Sequence, residues 1–160
     1  AAVQNNDMVA AYASDNWSQP DLKPAREDLH WTISDVTVDT FVENLQENIT
    51  TDSLDFDIQV LNGDSSQLGK KDFEQDVNII FYDGDNDQLK MIEFYTQMLT
   101  FTQDVFTLVV DDANVEKNVE VTKQFLEYNG LKILYERELL NDQEDINMWW
   151  NGLYVVVVSK

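Results

Sequence analysis

Carboxylates end four successive apolar runs of this chain, and they are the residues best placed to do chemistry. Val9-Ala10-Ala11-Tyr12-Ala13 stops at Ser14-Asp15, and the alternating Phe56, Ile58 and Val60 run out at Asn62-Gly63-Asp64. Val77 to Tyr82 ends at Asp83-Gly84-Asp85, and Val105 to Val110 ends at the pair Asp111-Asp112. Short apolar runs bounded by turn residues read as strands. In doubly wound sheets, ligands bind outside the carboxyl ends of the strands. A rim of aspartates there suits hydroxyl and amine donors, a cationic ligand, or a hard divalent ion held by oxygen. Asp83, Asp111 and Asp112 would repel one another unless a proton or a cation bridges them, which makes them candidate metal ligands. Each aspartate also suits a turn or a helix N-cap, and that structural role competes with the chemical one at every position.

Composition removes other chemistries. The 160 residues include no Cys, so disulfides, thiolate metal sites and cysteine nucleophiles are excluded. Ser65 and Ser66 have no base nearby in sequence, which argues against a serine hydrolase. His30, the lone histidine, sits in a proline-containing loop over residues 18–34 and reads as a surface residue. Trp149 and Trp150 read as core packing or an interface contact. The 31 acidic residues against 10 basic ones give a net charge of −21, a field that repels phosphate backbones. The expected partners therefore exclude nucleic acid. An acidic nucleic-acid mimic is the third functional reading, and it rests on charge alone, because the acids fall at element ends rather than in long runs. No run of eighteen apolar residues exists to span a membrane, and residues 1–7 carry no secretory pattern, so a cytoplasmic protein is expected.

The elements that must position the acids alternate. From Asp35, the residues Val38, Phe41, Val42, Leu45 and Ile49 share a helical face and predict a helix over 36–49. Met91, Ile92, Tyr95, Met98 and Leu99 predict a second helix over 87–100, with its stripe in the core. Val115, Val119, Thr122 and Leu126 predict a third over 114–129, stopped at Asn129-Gly130. Leu131 to Tyr135 and Leu153 to Val158 read as two last strands. The linker over 141–152 is too short and polar for a crossover helix, so that pair is expected to be antiparallel. Alternating strands and helices predict an α/β domain over 1–160, with a Rossmann-like, mostly parallel sheet, helices on both faces and an antiparallel last strand.

The segments Phe81-Tyr82-Asp83-Gly84-Asp85, Thr107 to Asn114 and Trp149-Trp150-Asn151-Gly152-Leu153 resemble class I S-adenosylmethionine-dependent methyltransferases of the macrocin O-methyltransferase type. Ala10 to Trp17 and Val60 to Ser65 are similar to that family's second and third strand ends. The resemblance implies methyl transfer from S-adenosylmethionine to a hydroxyl of a small-molecule acceptor. It implies that Asp15 binds the ribose hydroxyls and that Asp64 and Ser65 lie beside the adenine. It further implies that Asp83 is a metal ligand or the base for the acceptor's proton, and that Asp111 and Asp112 complete a magnesium site.

Three departures from the family pattern set further expectations. Asn86 stands where a His is common, Ala113 and Val115 stand where Trp is expected, and Val121 where the pattern has Gly. The five glycines, at 63, 69, 84, 130 and 152, form no glycine-rich turn. The family's first strand and that turn are expected to precede Ala1. Their loss would leave strand edges open to a strand from another chain, hence to a homo-oligomer. The second functional reading is accordingly a non-catalytic methyltransferase-like domain that binds no cofactor.

Overall fold

The computed structural model describes residues 8–15, 43, 55–62, 65–141 and 151–160. Two compact units divide the chain, Ala1–Ser65 and Ser66–Lys160. In the first, strand β1 (Met8–Asp15) pairs in parallel with β2 (Asp55–Asn62), in a register that sets Asp15 level with Asn62. Of the helix expected over 36–49, only Glu43 is described, and it is helical. Asp64, His30, Trp149 and Trp150 lie outside the described residues.

The second unit holds a four-stranded sheet in the order β3 (Val77–Tyr82), β4 (Thr102–Asp111), β6 (Leu153–Ser159), β5 (Lys132–Leu139). β3 and β4 are parallel, while β6 runs antiparallel to both β4 and β5, as the short linker requires. Strand β5 extends four residues beyond the expected Tyr135. Glu136, Arg137 and Glu138 lie on the side of the sheet where only β6 pairs with it, and an edge strand tolerates charge. Two helices join these strands, α1 (Gln88–Phe101) and α2 (Glu116–Tyr128), close to their expected spans.

Both helices pack on one face of this sheet. Ile80 and Tyr82 of β3, Phe106, Leu108 and Val110 of β4, and Tyr154, Val156 and Val158 of β6 alternate into the core. Helix α1 adds Met91, Phe94, Tyr95, Met98 and Phe101, and α2 adds Val119, Val121, Phe125 and Leu126. Valines, Asn and Thr make α2 a poor autonomous helix, at roughly 0.5 kcal/mol per residue. Each of its four buried apolar side chains returns about 1.5–3 kcal/mol, so packing and not propensity holds it in place. On the opposite face Ile79 and Phe81 are 63% and 58% exposed.

Two tyrosine hydroxyls at this core are paired. Thr122 Oγ1 donates to the Asn118 carbonyl at 2.7 Å, which commits its proton, so the Tyr95 hydroxyl must donate to Thr122 Oγ1 across 2.9 Å. Burial pushes the Tyr95 hydroxyl far above the ordinary tyrosine value. The Tyr154 hydroxyl donates to Glu136 at 2.8 Å, which holds that carboxyl below its usual range, and Lys123 lies beside both Glu136 and Glu138.

Asp87 begins α1 as an N-cap, its Oδ1 accepting from the amides of Leu89 at 3.0 Å and Lys90 at 3.2 Å. Asp87→Ala should lower stability by about 1 kcal/mol, read from urea unfolding, with the folded spectrum unchanged.

Candidate functional site

Parallel registers bring the acids to the carboxyl edges of their sheets. Tyr82 pairs with Val110, so Asp83 and Asp111 leave the second sheet at the same level. That much of the expected convergence is present, but the side chains do other work. In the loop after β3, Asp85 pairs with Lys90 at 2.6 Å and accepts the Asp87 amide at 2.9 Å; the Lys90 hydrogen bond is the main reason its carboxyl titrates below the usual range. Gly84 is required by close approach, since a Cβ there would lie 2.6 Å from the Tyr82 ring. That ring is wedged against Phe94, and its hydroxyl donates to the Asp85 carbonyl.

Asp112 is the centre of the corner. Its backbone is left-handed at φ 57°, an uncommon conformation outside glycine that Asp and Asn tolerate best. Its carboxylate is fully engaged: Asn86 Nδ2 donates to Oδ2 at 2.8 Å, and Asn151 Nδ2 donates to Oδ1 at 2.6 Å. Asn118, in the first turn of α2, donates its Nδ2 to Asn86 Oδ1 at 2.6 Å and to the Asp112 carbonyl at 3.3 Å. Four elements are thereby fastened together: the loop after β3, the end of β4, the start of α2 and the approach to β6.

Asn114 extends the fastening. Its amide donates to the Asn151 carbonyl at 2.6 Å, and Ala113 donates to the Gly152 carbonyl at 3.1 Å. The Asn114 side chain donates to Asn141 Oδ1 at 2.6 Å and accepts from the Asn141 amide at 3.2 Å. Residues 141 and 151, which flank the segment 142–150, are thus tied to one turn. The Asp-Asp-Ala-Asn and Asn-Gly motifs are neighbours in space, and what joins them is an amide latch.

This geometry corrects the metal assignment. Among the described residues no group of three His, Asp or Glu side chains is placed to hold a metal ion. Each Asp112 carboxylate oxygen accepts from a side-chain amide, and Asp111 Oδ1 accepts the Asp112 amide at 2.8 Å. Asp83, Asp111 and Asp112 do not form the expected magnesium site, and no step is assigned to a metal.

The cofactor candidates sit in the first unit. Asp15 ends β1, and only its backbone is described. Ser65 opens a short 3-10 turn, Ser65–Gln67, and is half-buried. Ser14, one residue before Asp15, carries a buried hydroxyl with no hydrogen-bond partner. An orphaned polar atom at the carboxyl end of a strand fits a missing polar ligand.

No family model matches the chain, and no curated protein matches it. Solved structures do. The chain is similar to the precorrin 8W decarboxylase of Methanobacterium thermoautotrophicum, at 15% identity over 93% of this chain and 68% of that one, with a TM-score of 0.50. It is also similar to an rRNA methylase from Streptococcus thermophilus, at 13% identity over 93% and 72% of the two chains and a TM-score of 0.46. A third is M. jannaschii TYW2 in complex with AdoMet, at 13% identity over 96% and 57%, with a TM-score of 0.47.

The fold is a Rossmann-like mixed α/β fold, shared with the precorrin 8W decarboxylase. The expectation of a small-molecule acceptor and no nucleic-acid partner is corrected at this point, because chains of similar fold include an rRNA methylase. Among the described residues no helix is long and apolar enough to cross a membrane.

Proposed function

We propose that the chain is a methyltransferase-type domain that holds S-adenosylmethionine at the carboxyl ends of β1 and β2, and that it serves O-methyl transfer of the macrocin type. The observation that carries this reading is the level ending of β1 and β2, Asp15 beside Asn62, in a chain of Rossmann-like fold. Asp15 would accept hydrogen bonds from the ribose hydroxyls, the role of a carboxylate after an early strand in such sheets. Asp64 and Ser65 would lie beside the adenine, and the unpaired Ser14 hydroxyl would gain a partner. When bound, the cofactor supplies an electrophilic methyl group. The resemblance makes Asp83 the candidate general base for an acceptor hydroxyl.

A methyltransferase-like domain without cofactor binding is the second reading, favoured by the glycines. Gly63, Gly69, Gly84, Gly130 and Gly152 stand singly, and none builds the turn that lets a backbone approach the cofactor closely. Saturation-transfer NMR with S-adenosylhomocysteine separates the two. The first reading expects saturable contact at the ribose protons that Asp15→Ala removes. No contact would favour the second, and contact that survives Asp15→Ala would overturn the role given to Asp15.

A further inference from the structure

Strand β5 is the part of the second sheet that the two helices leave bare. Its neighbour β6 alternates between buried and half-buried residues, whereas every β5 residue from Lys132 to Glu138 is exposed. The register sets Ile133 level with Val158, Glu136 with Val156 and Glu138 with Tyr154. Those β6 residues are core, so Ile133, Glu136 and Glu138 share the face on which α1 and α2 pack. Among the described residues, the helical layer therefore stops short of the sheet edge. A groove of about 940 Å³ lies there, between the outer flank of α2 and the end of β5, with Ala113, Val119 and Leu140 supplying apolar surface.

The groove is acidic and uncompensated. Glu116, Glu120 and Glu127 line it from α2, and Glu138 lines it from β5. Lys123, the one cation among the described lining residues, is already consumed. It lies 2.8 Å from Glu138 and 3.4 Å from Glu136, over the Tyr154 ring. Among the described residues no cation pairs with Glu116, Glu120 or Glu127, and Glu120 accepts only from the neutral Gln124 side chain at 3.0 Å. Like charges four residues apart, as at Glu116 and Glu120, weaken a helix whose propensity is already poor. A cation from outside would relieve them.

Shape decides what kind of cation fits. Residues 116, 120, 123 and 127 recur at helical spacing along one flank of α2, over about 16 Å. An extended segment laid on that flank would find no backbone groups to pair with, because α2 uses its own. A helix satisfies its backbone internally and fits beside α2 on a sheet face. A small polycation would match the charge but leave the apolar surface at Leu140 and Ile133, 54% and 38% exposed, uncovered.

We propose that the groove between α2 and β5 docks a basic amphipathic helix of a partner protein, about three turns long. Its Lys or Arg side chains pair with Glu116, Glu120 and Glu127, and its apolar stripe covers Leu140, Val119 and the bare strip of β5. The groove is built from the second unit alone, so docking is independent of S-adenosylmethionine.

The test titrates the full chain into a fluorescent, alanine-based peptide of about 15 residues, with Lys at i, i+4, i+7 and i+11 and Leu on the adjoining stripe. Anisotropy should saturate, and amide shifts should concentrate in α2 and β5. A scrambled peptide of the same composition should bind at least about tenfold more weakly, since it cannot present both stripes. Glu120→Lys and Glu127→Lys should each weaken binding about tenfold, while Glu93→Lys, an equal charge change on α1 outside the groove, should weaken it less than about twofold. The proposal is overturned if the peptide does not bind saturably or if the scrambled peptide matches it. It is equally overturned if the three variants lose affinity alike, which would reduce the attraction to the net charge of −21. Displacement of the peptide by an equal concentration of spermine would also overturn it and assign the groove to small polycations.

Discussion

Asp112→Ala should lower stability by about 3 kcal/mol and Asp112→Asn by about 1–2 kcal/mol, the sums expected from lost charge-assisted bonds and, for Ala, a strained left-handed backbone. The carboxylate accepts from Asn86 and Asn151, so either change removes an acceptor that two elements share. Asn keeps the size and tolerates φ 57°, but it turns an NH2 group toward one of two amide donors. Ala loses both bonds and the local hydrogen bonding that makes the left-handed region tolerable. Chemical denaturation of the parent and the two variants reads the order directly. Magnesium should shift the parent and Asp112→Asn melting curves equally, because it has no carboxylate set to bind. Stabilisation of the parent alone by magnesium would restore the metal reading.

The second large effect lies across the latch. Gly152→Ala should cost about 3 kcal/mol, while Gly130→Ala should cost about 1 kcal/mol, although both glycines have positive φ. At Gly130, φ is 70° and a Cβ would meet nothing within 4 Å, so only backbone strain is added. At Gly152, φ is 75° and a Cβ would lie 2.6 Å from Asn114 Oδ1 and 2.9 Å from the Leu139 carbonyl. Asn114 cannot retreat without releasing Asn141, and Leu139 is held in β5. Thermal unfolding of the two variants side by side isolates the contact from the strain. Equal losses would mean that Asn114 yields freely and that the latch is loose.

The sequence made the second unit readable because its strands are continuous apolar runs and its helices carry one-sided stripes. The antiparallel last strand followed from a linker too short and polar for a crossover helix. What it did not reveal was the difference between acids that cluster and acids that are consumed. Asp83, Asp111 and Asp112 do gather at one sheet edge, as their place after apolar runs implied. Asp85, Asp87 and Asp112, however, are occupied by a turn and ion pair, a helix cap and an amide latch respectively. Carboxylates attract attention in a sequence, and carboxamides do not. Asn86, Asn114, Asn118 and Asn151 come from three separate stretches, and only the register of β3, β4 and β6 brings them together. One signal was available: Asn118 is a weak helix former placed within a helical stripe, which favours a specific hydrogen-bonding role. The resemblance in Asp-Asp-Ala-Asn and Asn-Gly is therefore explained as architecture. Those residues close the carboxyl edge, and they support the fold whether or not the chemistry is retained.

The cofactor claim separates fold from function, and calorimetry with S-adenosylhomocysteine tests it most directly. Asp15, Asp64 and Ser65 offer contacts to ribose and adenine, but no glycine-rich turn is present among the five glycines to admit the rest of the ligand closely. The account predicts a dissociation constant weaker than about 100 μM for the 160-residue chain, a binding free energy of no more than roughly −5.5 kcal/mol. No saturable binding at all would contradict the cofactor reading, and a dissociation constant of about 1 μM, near −8 kcal/mol, would require a cofactor site built from further residues.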